Sequence, residues 1–267
     1  KKKVFSTWSV NKFFQSVVSN KFVYFGEYWY DNGGLPSILV NYLKTHELNI
    51  FEYLDKDKFL KVSSDDFKNP TALTTINQNV LMCQTGYLTL RSDLNKTSTV
   101  ALGIPNGEIY KALNRLLANN IFKGNTDITD DYGRSLLEVG TVDDIINLFN
   151  SALNSVSYDN YPIVSESSVQ NMLKLYLLGA HQKVLSELHE AKGRADLVVN
   201  TDNRRIVFEF KYAKNETEAK SKLLDAVEQI KTRDYGNIVP KKTELLRIAT
   251  VFNADPKVRA FTEYQSV

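Results

Sequence analysis

The sequence predicts an α+β chain in two parts. Residues 1–160 read as a mostly helical region, and residues 161–267 as an α/β region. Three observations predict this. The apolar spacing from Val4 to about Phe67 follows a helical period. Three strand-like runs, "HQKVLSEL", "RADLVVN" and "RRIVFEFKY", follow one another across short polar turns. A helix before them, a long helix after them and a closing strand complete the order helix, three strands, helix, strand.

The N-terminal elements come first. "SVNKFFQSVV" places Val10, Phe13, Phe14, Val17 and Val18 on one helical stripe. "LPSILVNYLK" places Leu35, Ile38, Leu39 and Leu43 on another. Both stripes are expected to face a core. From Thr71 to about Ala118 the rhythm changes. A helical run through Val80 and Leu81 meets "QTGYLTL", then the polar "RSDLNKTS", then "TVALGIP". A helix follows in "NGEIYKALNRLLA", with Asn106 as its N-cap. Helix, two strands about a polar turn, and helix outline a winged-helix-like unit. Such units bind nucleic acid in some proteins and only pack against neighbours in others. "SLLEVGTVDDIINLFNSALNSV" reads as helical with a break at Gly140. "SYDNYPIVSES" is a connection, and the boundary between the two parts is placed near Asp159 to Pro162.

The C-terminal part opens with the helix "SESSVQNMLKLYLLGA", capped by Ser165. The long helix "NETEAKSKLLDAVEQIKTRDY" carries Ala219, Leu223, Ala226, Val227 and Ile230 on its apolar face. "ELLRIATVFN" is the closing strand.

Composition narrows the function. The net charge of +2 does not signal a nucleic-acid-binding chain, and it leaves room for a local basic groove. The one cysteine, Cys83, cannot form an intrachain disulfide, which fits a reducing cytoplasm. No apolar run reaches membrane-spanning length, so no membrane partner is expected. His46, His181 and His189 are too widely spaced for a zinc motif. The first residues, "KKKVFSTWSV", hold no Met and no signal-peptide core, which suggests a chain that begins inside a longer protein.

The chemistry lies in the second and third strands of the C-terminal part. Side chains alternate across a strand, so Glu209 and Lys211 share a face with Val207. Ile206, Phe208, Phe210 and Tyr212 face the other way. Asp196 shares a face with Val198. If the two strands pair as a hairpin, Asp196 and Glu209 lie side by side. Neighbouring carboxylates repel unless one is protonated or a cation sits between them. Hard oxygen donors of this kind suit Mg²⁺ or Mn²⁺. Lys211 can then orient a water or stabilise charge on a phosphate. The alternative is a plain ion pair between Lys211 and a carboxylate on a solvated sheet face.

Taken together, Glu187, Gly193, Arg194, Asp196, Glu209, Lys211, Gln229, Ile230 and Tyr235, with "ATVF" near Phe252, resemble the PD-(D/E)XK nuclease superfamily. More narrowly, they resemble the nuclease-like domain at the C-terminus of bacterial AAA-ATPase-like proteins. "FSTWSVNKFF", "EYWYDNGG", "MCQTGYLTL" and "LGIPNGEIYKAL" are similar to the tail of that ATPase-like domain. The phosphate-binding Gly-x-x-x-x-Gly-Lys-Ser/Thr segment is not in this chain, so no P-loop ATP chemistry is expected.

The resemblance implies a restriction-endonuclease-like αβββαβ core and a metal-dependent nuclease acting on nucleic acid, DNA before RNA. It implies Asp196, Glu209 and the Phe210 carbonyl as ligands of Mg²⁺ or Mn²⁺, with Lys211 as the catalytic lysine. Glu166 would reach the metal through water, or else be a first-turn acid favoured by the helix dipole. Glu187 would be a ligand or lie just behind one. Gln229 would orient Lys211, touch nucleic acid or simply face solvent. Arg194 would pair with a phosphate or with Glu187. Ala195 stands where the superfamily's name has proline. A missing N-terminal ATPase module is an implied partner. A catalytically weak nucleic-acid-binding or partner-binding module that regulates an ATPase is the alternative.

Overall fold

The computed structural model describes residues 7–20, 37–46, 48–69, 72–91, 98–123, 131–180, 182–190, 193–233 and 243–267. The chain divides into two compact units, Lys1–Leu116 and Leu117–Val267. Among the described residues, no helix is long and apolar enough to cross a membrane.

The first unit contains helices α1 (Thr7–Asn20), α2 (Ser37–Leu43), α3 (Asp65–Lys68) and α4 (Gln78–Gln84). It also holds a three-stranded antiparallel sheet of β1 (Leu60–Ser63), β2 (Thr89–Leu90) and β3 (Thr99–Gly103), in the order β1-β3-β2. Helix α5 (Gly107–Ile121) begins there and runs across the boundary into the second unit. Asn106 caps α5 by accepting from the Ile109 amide at 2.9 Å.

Strand β1 falls in the stretch expected to be helical. Its alternation of buried Leu60 and Val62 with exposed Lys61 and Ser63 is too short to stand out beside helical neighbours. The α1 stripe is corrected as well. Phe14 is 60% exposed and Val18 80% exposed, so both leave the core that Val10, Phe13 and Val17 border. Leu39 and Leu43 are buried as expected, but Ile38 is exposed. Leu35, "EYWYDNGG" and most of the polar "RSDLNKTS" lie outside the described residues.

The second unit is built on a five-stranded sheet ordered β4-β5-β6-β7-β8. Its strands are β4 (Lys183–Glu190), β5 (Gly193–Asn200), β6 (Arg204–Ala213), β7 (Glu244–Asn253) and β8 (Ala260–Ser266). The first three form an antiparallel meander, β6 and β7 run parallel, and β8 returns antiparallel. Helices α6 (Asp131–Val139), α7 (Val142–Asn154), α8 (Glu166–Gly179) and α9 (Glu216–Arg233) surround it. A parallel pair needs a long crossover, and α9 supplies it. The helix, three strands, helix, strand order is that of a restriction-endonuclease-like α+β fold.

Local chemistry sets the ends of these helices. Gly140 separates α6 from α7, and a Cβ there would stand 2.4 Å from the Leu136 carbonyl oxygen. Thr141 and Asp144 then form a capping box that starts α7. Ser165 and Ser168 form another at α8.

The two sheet faces are filled differently. Ala226, Val227 and Ile230 of α9 pack on Val198, Val207 and Ala249. On the other face Phe149 of α7 meets Phe208 and Phe261, and Phe208 stacks on Phe210. Helices α6 and α7 therefore belong to the same compact unit as the sheet, upstream of residue 161. Buried Arg204 fixes the start of β6. It donates to Glu244 on β7 at 2.9 Å and to the Gly140 carbonyl at 2.7 Å.

Strand β8 was not among the expected strands. It lies at the end of the sheet, where unpaired backbone groups need other partners. Asn150 of α7 meets that need at Phe261. It donates to the Phe261 carbonyl at 3.1 Å and accepts from the Phe261 amide at 2.8 Å. Replacing Asn150 with Ala removes both bonds and is expected to cost about 1–3 kcal/mol. Urea unfolding would measure this, and a loss under about 0.5 kcal/mol would show that the clamp is dispensable.

Candidate active site

Backbone pairing of β5 with β6 runs from Asn200–Arg205 to Leu197–Phe208 and stops there. Continuing the register brings Asp196 level with Glu209. Instead of a strand bond at this point, Asp196 Oδ2 accepts from the Phe210 amide at 2.9 Å. The side chain thus satisfies a donor that the parting strands release.

Both carboxylates are buried. Asp196 is 8% exposed and Glu209 fully enclosed. Lys211 Nζ lies 2.7 Å from Glu209 Oε1 and 3.8 Å from Glu166 Oε2 at the first turn of α8. The other oxygen of Glu209, Oε2, is buried with no hydrogen-bond partner among the described residues. The pair is therefore not a salt bridge on a solvated face.

Electrostatics follow from this burial. Glu209 is pushed up to about 7. Burial is the main cause, the Asp196 charge adds to it, and the Lys211 hydrogen bond only partly opposes it. Glu166 is also held up, by burial and by Asp196, against the pull of Lys211 and Lys222. For Lys211, burial pulls downward, but the bond and charge of Glu209 and the charges of Glu166 and Asp196 outweigh it. The ammonium stays charged while its partner carboxylate is poised near neutrality.

The donor set suits a hard divalent cation. It offers two carboxylates, one with an unpartnered buried oxygen, beside the Phe210 backbone. Among the described residues, no group of three or more His, Cys, Asp or Glu side chains converges to hold a metal. Asp196 and Glu209 are the two buried carboxylates here, and the more exposed Glu166 lies beside Lys211.

The other residues singled out in the sequence are placed less closely. Glu187 lies on β4 between the Ser186–Leu197 and Leu188–Ala195 pairs, and Arg194 on β5 pairs with His189. The side chains of Glu187 and Arg194 lie outside the described part of the structure, as does all of Tyr235. Gln229 is half-buried on α9, beside the packing residue Ile230. The sequence did not point to Lys222. It donates to the Tyr212 carbonyl at 2.6 Å and lies 2.8 Å from Glu218 Oε1. The spacing from Glu218 to Lys222 reads as an ordinary helix-surface pair, and only the contact with β6 distinguishes it.

The raised Glu209 makes stability depend on pH. A carboxyl that holds its proton more tightly when folded favours the folded state below its unfolded value. That contribution is lost as pH rises from about 4.5 through about 7. Its full size is on the order of 3 kcal/mol at about 1.4 kcal/mol per pKa unit. Glu166 adds to it with the same sign. Unfolding free energy of the metal-free protein should therefore fall across this window, and Glu209→Gln should flatten most of the slope. Equal slopes for the two proteins in denaturant titrations would refute the assignment.

Comparison with known proteins bears on the same segment. The chain matches no curated protein. Residues 164–262 match the model of the PD-(D/E)XK nuclease superfamily, a span that starts just before α8 and ends in β8. It contains Asp196, Glu209 and Lys211. By that match and by its fold, residues 164–262 of this chain are similar to the PD-(D/E)XK nuclease superfamily.

Proposed function

We propose that the C-terminal unit is a divalent-metal-dependent nuclease that hydrolyses phosphodiester bonds, with DNA as the expected substrate. One observation carries this reading. Asp196 and Glu209 are buried side by side, Lys211 holds one Glu209 oxygen, and the other has no partner among the described residues.

Asp196, Glu209 and the Phe210 carbonyl would hold Mg²⁺ or Mn²⁺, with Glu166 and Glu187 as outer or additional carboxylates. When bound, such an ion polarises a phosphoryl oxygen and makes water a better nucleophile. The chain's own residues do the rest. Lys211 keeps its proton and supplies a fixed positive charge where negative charge grows on the phosphate. Glu166, close to Lys211, holds the ammonium from the solvent side. Asp196 keeps the Phe210 amide occupied and so keeps β5 apart from β6 at the site. Gln229 and Arg194 are assigned to nucleic-acid contact. In the first unit, the sheet order β1-β3-β2 with its short helices is read as a winged-helix-like element serving substrate or an ATPase module.

The test is cleavage of plasmid, linear duplex, single-stranded DNA and RNA with Mg²⁺ or Mn²⁺, and with chelator as control. Cleavage should need the metal and fall at least about 100-fold in Asp196→Asn and in Lys211→Ala. Mn²⁺ should also raise the melting temperature of the wild type and not of Asp196→Asn, a readout independent of turnover. Cleavage that survives both substitutions would place the site elsewhere. A folded protein that binds Mn²⁺ and cuts nothing would replace the nuclease with a binding module.

A further inference from the structure

The edge of β6 beyond Phe208 is where β5 parts from it, and the two groups that cap this edge differ in charge. In a strand, the amide and carbonyl of one residue leave by the same edge, and alternate residues use opposite edges. The Phe210 amide meets Asp196 of β5. The Tyr212 carbonyl, two residues on, therefore leaves by that same edge. Lys222 Nζ occupies it at 2.6 Å. Asp196 and Lys222 thus bracket one stretch of backbone roughly 7 Å long, two residues at the usual strand rise. The Phe210 carbonyl lies within it.

We propose that Lys222 is a substrate-positioning residue, whose ammonium takes the phosphate next to the one that is cleaved. The inference rests on the nuclease reading above. Glu218 is the counter-ion of Lys222 in the free protein, at 2.8 Å. An ammonium has three donors. The Tyr212 carbonyl and Glu218 take two, and the third remains for a ligand. The Lys222 side chain is 34% exposed, against 16% for Lys211, so a phosphate reaches Lys222 with less desolvation. Its charge is also felt at Glu166, which faces Lys211. The two lysines therefore serve one surface: Lys211 inside it, fixed by Glu209, and Lys222 at its rim. A strand carries one phosphate per nucleotide, so a cation beside the reacting centre sets which phosphate is presented.

Three substitutions separate this role from simple capping of β6. Lys222→Ala should raise the KM for duplex DNA about tenfold, the loss of one charged hydrogen bond, with the smaller change in kcat. In the Asp196→Asn background with Mg²⁺, it should weaken binding of a labelled duplex or single strand. It should also lower the slope of log K against log salt by about one. Lys222→Arg should restore most of both. Glu218→Gln removes the counter-ion but keeps an oxygen for the Lys214 amide, which Glu218 holds at 2.8 Å. It should tighten binding at low salt. A lower melting temperature in Lys222→Ala with unchanged KM and salt slope would make Lys222 a structural cap and overturn the proposal. If Asp196→Asn binds neither oligonucleotide at low salt and the wild type cuts none, the nuclease reading falls, and this inference with it.

Discussion

The hydrogen bond from the Phe210 amide to Asp196 is the contact on which the site depends. An antiparallel pair that stayed zipped would have filled the edge of β6 with β5 backbone. A carboxylate takes the amide instead, so the strands can separate without leaving a buried donor unpaired. The strands part at residues that stay buried, within a sheet packed by α7 on one face and α9 on the other. The proposed chemistry lies at that gap.

Burial then shifts the acidity of the carboxyl groups beside the gap. Two adjacent carboxylates in a closed face are unfavourable in the metal-free protein, and Glu209 responds by holding its proton to about neutral pH. Lys211 relieves one of its oxygens and leaves the other bare. Charges alternate outward from there, through Lys211, Glu166 and Lys222 to Glu218. Distant elements keep this arrangement in register. Arg204 locks the opposite end of β6 to β7 and to the α6–α7 joint, while Asn150 ties the outer strand to α7.

Much of the C-terminal unit was legible because its signals are local. Ser165 and Gly140 mark helix ends by backbone demands that act over a few residues. The alternation in "RRIVFEFKY" separated Glu209 and Lys211 from Phe208 and Phe210, and the structure keeps that separation. The apolar face of α9 was read correctly from its spacing. Strands β1 and β8 were not read. β1 is four residues long, and β8 is an edge strand whose exposed Thr262 dilutes its pattern. The stripe on α1 misled because spacing predicts a common face, not that a partner covers all of it.

The sequence by itself determined which residues alternate, where helices begin and end, and which acids and lysine share a strand face. These follow from backbone geometry that repeats within a few residues. Only the tertiary structure decided that Glu209 is enclosed with one oxygen unpartnered, that β5 leaves β6 at Leu197–Phe208, and that Lys222 reaches the Tyr212 carbonyl. Burial, strand separation and contacts across the sheet edge are set by residues that meet from different elements. No pattern within a single segment encodes them.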